Sequence, residues 1–392
     1  MGLYASLGVR TVINARGNAT LVGGTLMDPE VLAAMAEAGR SFVRIADLEE
    51  AASAKIAAVT GAEAGYVTSG AAAGVTLATA AVLAGLDPER MDRLPETDGQ
   101  PNEILIQRVH RNPYDHMVRA AGARLVEFGD ERGGSAAEMA GRIGPATAGV
   151  FYHAQAERLG VPFDAFVEVA HASGLPVIVD ASVNLPPRSN LRRYVEAGAD
   201  LVAFSGGKTI RGPQASGILA GRRDLLLSVG LQHQDMDVMP ATWERRELLE
   251  SGRLPGLPQH GIGRPMKAGK EEIAGLLVAL DRYLARDEAA ERRRWTDICA
   301  GLASGLATIP GLAARVEAES PEGRPVPATL VTVDPARFGR SAVELVRAMQ
   351  DLDPIVMVGD HEAEQGILRL DPENLTTADV GPLVDVFGRC AG

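Results

Sequence analysis

The segment "DLVAFSGGKTIRGPQAS", residues 200–216, decides how the rest of the chain is read. An apolar run stops abruptly at Ser205, two glycines follow, and Lys208 stands in the turn they make. A lysine on a loop is ordinarily solvated and idle. Its surroundings give this one another meaning. From about residue 64 to 220, short β-rich runs alternate with helical segments. The runs are "GYVTSG" (65–70), "NEILIQ" (102–107), "ARLVEFG" (123–129), "TAGVFYHA" (147–154), "LPVIVDAS" (175–182), "ADLVAFS" (199–205) and "ASGILAG" (215–221). Segments 162–173 and 189–197 place apolar residues at helical spacing. This alternation predicts an α/β fold: a large, mostly parallel sheet covered on both faces, with ligands at the carboxyl ends of its strands. Lys208 falls at one such end.

Two more strand ends carry chemistry. In "PVIVDAS" (176–182) the apolar run closes on Asp180, an acid that burial makes costly unless it finds a partner. In "VTSGAAAG" (67–74) Thr68, Ser69, Gly70 and Ala71 mark the passage from a strand into a helix of small residues. Backbone amides at such a helix start, with nearby hydroxyls, form an anion cradle. Each feature has a plain alternative: a helix cap for Asp180 and for the Ser-Gly turn, a solvated side chain for Lys208. Together they describe one site. The helix start suits a phosphate, the aspartate a protonated ring nitrogen, and the lysine an aldehyde held as a Schiff base. That is the donor set of a pyridoxal 5'-phosphate enzyme.

The order of phosphate loop, aspartate and lysine resembles the aspartate-aminotransferase-like fold, PLP-dependent transferase fold type I. The motifs "NARGNATLVGGT" (14–25), "VTSGAAAG", "HRNPYDH" (110–116), "LPVIVDA" followed by "LPP" (185–187), "GADLVAFSGGKTIRGPQASG" (198–217) and "GIGRPMKAGKEEIAGLLVAL" (261–280) are similar to the selenocysteine-synthase-like family. They stand nearest its branch of D-glucosaminate-6-phosphate ammonia-lyases. The similarity runs over about residues 8–285 and weakens beyond. Selenocysteine synthase itself carries a further N-terminal region for its tRNA, whereas this chain reaches the first motif at Asn14. Together with the charge balance, this argues against a seryl-tRNA substrate.

The resemblance implies an enzyme in which Lys208, Asp180 and His110 are catalytic, with His110, after the run 102–107, stacked on the cofactor ring. A solvent-exposed His110 is the alternative. Thr68, Ser69, Gly70, Ala71, Ser205 and Gln214 complete the cofactor contacts, and Thr209 and Arg211 flank the lysine. A guanidinium clamps a carboxylate or phosphate in bidentate fashion, so Arg16, Arg264 and Arg369 are candidates for holding a substrate, with Asn14 and Tyr114 beside them.

Composition sets the outer limits. Charged residues are 23% and apolar ones 46% of 392 residues, an ordinary globular balance. The net charge of −12 disfavours a nucleic-acid partner, which would need clustered Lys and Arg. The longest apolar stretch, residues 71–86, is too short for a typical membrane span and reads as a buried helix. The two cysteines, Cys299 and Cys390, offer neither a disulfide framework nor a metal-ligand set. A cytoplasmic protein without a metal is expected.

The expected organisation is an N-terminal arm (1–27), a large cofactor-binding domain (28–264), a linking helix (265–289) with Pro265 in its first turn, and a small α+β domain (290–392). "RPVPATLVTVDP" (324–335) and "GILRLDP" (366–372) are its strands. The expected reaction is α,β-elimination from a hydroxylated amino acid or amino sugar acid, giving a 2-oxo acid and ammonia. Racemisation or retro-aldol cleavage of a β-hydroxy amino acid is the alternative, and a non-catalytic PLP-binding protein a third. The partner is a small anionic, amino-acid-like substrate. The loops 231–240 and 257–265, rich in His, Gln and Arg, suggest a homo-oligomer, at least a dimer.

Overall fold

The apolar runs on either side of Lys208 join one seven-stranded sheet. In the computed structural model, which describes residues 2–391, the strands in chain order are β1 (Val12–Ala15), β2 (Ala64–Thr68), β3 (Glu103–Gln107), β4 (Arg124–Phe128), β5 (Thr147–His153) and β6 (Val177–Asp180). There follow β7 (Leu201–Ser205), β8 (Gly217–Gly221), β9 (Leu312–Glu317), β10 (Ala328–Val333), β11 (Ile355–Val358) and β12 (Ile367–Leu370). The large sheet has the order β2-β8-β7-β6-β5-β3-β4. β8 runs antiparallel to both its neighbours, and every other pairing is parallel. β3 leads outward to β4, and the chain then returns across β3 to β5 and proceeds the other way. The direction of winding therefore reverses between β3 and β5, where a doubly wound sheet opens its ligand crevice.

Helix Ala71–Ala84 is buried along its length except at Ala72 and Val82. Its alanines and Gly74 let it lie close on the sheet, where a Cβ on Gly74 would stand 3.6 Å from that of Ala203. It shares a core with Phe151, Ile178, Leu201 and Ala203. On the opposite face Tyr152 packs against Phe163, Phe166 and, through Phe163, Tyr194, from helices Phe163–Ala172 and Asn190–Glu196. The edge strand β2 is covered by helix Ile45–Thr60, whose Ser53 and Glu49 accept the N–H groups of Gly65 and Val67. An edge that would otherwise recruit another strand is satisfied within the chain.

The chain divides into two compact units. One compact unit spans Met27–Tyr283; the other combines the residues up to Leu26 with those from Leu284 onward. The N-terminal segment is no loose arm, because β1 pairs in parallel with β11 and Arg10 Nη1 donates to the Leu352 carbonyl at 2.6 Å. The long helical pattern after residue 264 is also interrupted. Pro265 lies in a short 3-10 turn, Arg264–Met266, and the helix proper is Lys270–Ala285. Asp287 then caps a second helix, Glu288–Leu306, by accepting the Ala290 N–H at 3.0 Å. In this unit β9 joins the expected β10 and β12 in an antiparallel sheet. Segment 86–101 holds a short helix, Pro88–Arg93, whose Met91 is buried in the large unit's core together with Leu94. Among the described residues no helix is long and apolar enough to cross a membrane.

Candidate active site

Strand register assembles the site. Thr68 at the end of β2 lies opposite Gly217, and Gly217 lies opposite Ser205. Asp180 pairs with Ala203 on one side and His153 on the other. Side chains alternate along a strand. His153, Asp180 and Ser205 each stand two residues beyond a member of the core under helix Ala71–Ala84, so all three project to that helix's face. Thr68 does likewise, its Oγ1 being 3.4 Å from where a Gly74 Cβ would be. Four polar side chains therefore share one face and one end of the sheet.

Because β7 and β8 are adjacent and antiparallel, the segment 206–216 between them stays at that same end. It folds tightly on itself: Gly206 N–H donates to Ser216 O at 2.9 Å, Gly212 N–H to Gly206 O at 2.8 Å, and Arg211 N–H to Lys208 O at 2.7 Å. A Cβ on Gly206 would meet Ser216 Oγ at 2.2 Å, and one on Gly207 would meet Gln214 Cα at 2.7 Å. The glycines before Lys208 are steric requirements of this turn. Lys208 itself is half-buried, as is Ser205, and Gln214 is exposed. Thr209 donates its hydroxyl to the Leu185 carbonyl at 2.8 Å, tying the loop to the segment after β6. Arg211, with φ 62°, has the sole positive φ among the described residues other than glycine.

The helix start fits a phosphate. Gly70 precedes it with φ 144° and open space where a Cβ would stand, and no side chain caps the first helical N–H groups. Thr68 Oγ1 donates to Gly70 O at 2.8 Å and closes the turn, with Ser69 half-buried within it and Ala71 buried. Gly217 backs the cradle so closely that a Cβ there would come within 2.5 Å of Gly70 C and 2.7 Å of Ala71 N.

Asp180 is 4% exposed. Its Oδ1 accepts the Ser182 N–H at 2.9 Å, and its Oδ2 lies 3.7 Å from His153 Nε2. His110 is buried rather than exposed. Its Nδ1 accepts the His153 backbone N–H at 3.2 Å and its Nε2 lies 3.3 Å from Leu159 O, so the proton belongs on Nε2. Burial pushes its pKa down to about 4, which keeps the ring neutral. The ring meets Tyr152 edge-on at a centroid distance of 4.6 Å. Proton transfer through His110 would require breaking one of its hydrogen bonds. His153 carries a sequence signal of its own: "FYHA" ends an apolar strand in a titratable residue just as "VIVDA" does.

The expected substrate residues are distributed over both units. In the unit holding the termini, Arg16 Nη1 pairs with Asp360 at 2.8 Å and Arg369 Nη1 with Glu317 at 3.0 Å. Asn14 there braces its own turn, accepting the Arg16 N–H and donating to Gly17 O. In the large unit Arg264 Nη2 pairs with Asp235 at 3.2 Å, and Tyr114 is 66% exposed.

A lysine after one strand, an acid closing the next, and an uncapped helix start on the same sheet edge define a PLP-dependent enzyme of fold type I. The chain belongs to the class-V aminotransferase family, whose model matches residues 33–236. It is 36% identical to a 5'-C-glycyluridine monooxygenase-decarboxylase from a Streptomyces species, over 95% of this chain and 88% of that protein. It is 30% identical to the D-glucosaminate-6-phosphate ammonia lyase of Salmonella typhimurium, over 97% of this chain and 96% of that one. A solved D-glucosaminate-6-phosphate ammonia-lyase superposes with a TM-score of 0.81 at 28% identity, covering 100% of this chain and 98% of its own. L-seryl-tRNA(Sec) selenium transferases match as well, in keeping with the resemblance seen in the motifs.

Proposed function

We propose that the protein is an ammonia-lyase that removes a β-hydroxyl and the amino group from a hydroxylated amino acid or amino sugar acid. The observation carrying this reading is the whole-length likeness, in sequence and in structure, to D-glucosaminate-6-phosphate ammonia-lyase. Pyridoxal phosphate, when bound, draws electron density away from the substrate's Cα. The residues here supply the rest. The amides at Ala71 and beyond would hold the phosphate, and Asp180 would face the ring nitrogen and favour its protonated form. Lys208 would hold the cofactor's aldehyde, and its amine would take the substrate's Cα proton. The β-hydroxyl leaves as water, and a water returns in the final hydrolysis, so the products are a 2-oxo acid and ammonia. One of Arg16, Arg264 and Arg369 holds the substrate carboxylate by exchanging its present acidic partner for it.

A second reading is oxidative decarboxylation, favoured by the 36% identity to a monooxygenase-decarboxylase. The two relatives' names share an amino acid unit joined to a sugar-derived frame, and that is the substrate class to test. Purified protein should bind pyridoxal phosphate, absorb in the visible, and after borohydride carry the label on Lys208. Lys208→Ala should abolish turnover. A panel of D- and L-hydroxy amino acids and amino sugar acids, with and without phosphate, should yield ammonia and a 2-oxo acid without oxygen uptake. Oxygen consumption with carbon dioxide release would favour the second reading. Free aldehyde or a change of chirality would favour retro-aldol cleavage or racemisation.

A further inference from the structure

We infer that His153 is a positioning residue of the cofactor site, holding the Asp180 carboxyl aimed. The inference rests on Asp180 partnering the cofactor's ring nitrogen, as proposed above. A carboxylate buried at a strand end must be met by donors or it gives up its charge. One donor is local: the Ser182 N–H reaches Oδ1 at 2.9 Å. The other side of the carboxylate faces His153, whose Nε2 lies 3.7 Å from Oδ2.

That approach is built into the sheet. His153 and Asp180 are the last residues of neighbouring parallel strands, in register and on the same face. Both are nearly buried, their side chains being 11% and 5% exposed. His153 Nε2 stands beside Oδ2 and the Ser182 N–H bonds Oδ1, so the carboxyl is flanked from opposite directions and its rotation is checked. The backbone of His153 does a separate job, since its N–H donates to His110 Nδ1. His110 itself leans on Tyr152, whose ring belongs to the aromatic cluster of the opposite sheet face. Of the two histidines, His153 is thus the one whose side chain addresses Asp180. Replacing that side chain leaves the backbone bond to His110 in place, which makes the role separable.

The test uses the full chain, stripped of cofactor and titrated with pyridoxal phosphate while the visible absorbance and circular dichroism are followed. His153→Phe keeps a ring of similar volume and removes the donor. It should weaken cofactor binding about tenfold or more, the scale of a hydrogen bond to a charged group, and should shift the visible band. His153→Gln, which can place an amide N–H near the position of Nε2, should recover most of that loss. In an Asp180→Asn background the His153→Phe penalty should disappear, because the residue acts through Asp180. If His153→Phe does not fold, His153→Ala replaces it with the same expectations. Wild-type cofactor affinity and spectrum in the donor-free variant would overturn the inference. So would a His153→Gln as impaired as His153→Phe, or an undiminished His153→Phe penalty in the Asp180→Asn background. A wild-type protein that binds no pyridoxal phosphate would instead remove the cofactor reading, so the two failures are distinguishable.

Discussion

Glu49 is a carboxyl folded away from the water that would let it ionise. It sits 3% exposed on helix Ile45–Thr60 and accepts the Val67 N–H at 3.0 Å. Burial pushes its pKa from 4.5 up to about 8, against the opposing pull of the Val67 N–H and the charge of Arg245. Below the ordinary value both folded and unfolded chains hold the proton, and the group is neutral in its effect on pH dependence. Between pH 4.5 and about 8 the unfolded chain ionises first, so stability falls as pH rises and then levels off. The slope contributed is at most roughly 1.4 kcal/mol per pH unit. Glu49→Gln keeps an acceptor for Val67 and removes the proton; its unfolding midpoint should be visibly flatter than wild type over that window. Equal slopes in thermal unfolding would show that Glu49 is already ionised in the folded protein. At this scale the sequence was legible where a polar residue interrupts an apolar run, as at Asp180 and Lys208. The same interruption marks His153, but its neighbour Asp180 does not show there, because that depends on which strand lies beside β5 in register. Glu49 was hidden for the same reason: nothing in a helical repeat says that one glutamate faces an edge strand.

The site at the level of elements is a junction between the start of helix Ala71–Ala84 and the first residue of β8. Gly217 lets the two meet: any side chain there would push on the backbone of Gly70 and Ala71. Gly217→Ala should therefore displace the helix start, weaken pyridoxal phosphate binding, and cost about 1–3 kcal/mol as overpacking does. Gly256→Ala, at a position with nothing within 4 Å and no positive φ, is the control. Cofactor titration together with denaturant unfolding checks both, and an unaltered affinity in Gly217→Ala would mean that the phosphate is held elsewhere. All seven strands of the large sheet could be read from their apolar runs and turn residues. β1 could not, being a four-residue strand whose partner lies near the other end of the chain. The helix break at Asp287 was masked by an unbroken helical pattern, and only the Asp287 side chain turning back to the Ala290 N–H reveals it. Short elements defined by distant partners leave little trace in local periodicity.

At the scale of the whole molecule, apolar side chains remain in water that the fold does not cover. In the N-terminal segment Leu3, Tyr4 and Leu7 are 69%, 58% and 66% exposed. In the large unit Phe42 is 102% and its neighbour Val43 51% exposed. Single exposed apolar residues are ordinary, but runs of them mark surfaces that meet a partner. Closed twofold association of identical chains is the commonest way to cover such surfaces. The protein is therefore expected to be at least a dimer by light scattering. Of the loops singled out for the subunit seam, the first begins inside a helix: His233 is buried, bonded to Tyr66 OH at 2.9 Å and Met266 O at 2.9 Å. Arg264, paired with Asp235 beside the exposed His260, is the remaining candidate for reaching a partner's site. Mixing two inactive variants tests this directly. If Arg264 serves the partner's site, unfolding and refolding Lys208→Ala with Arg264→Ala creates mixed dimers with one complete site each. Activity should then return to about a quarter of wild type, the statistical share for a closed twofold dimer. If Arg264 serves its own subunit, no mixed dimer contains a complete site and activity stays absent. A monomer with full activity would refute the assembly itself.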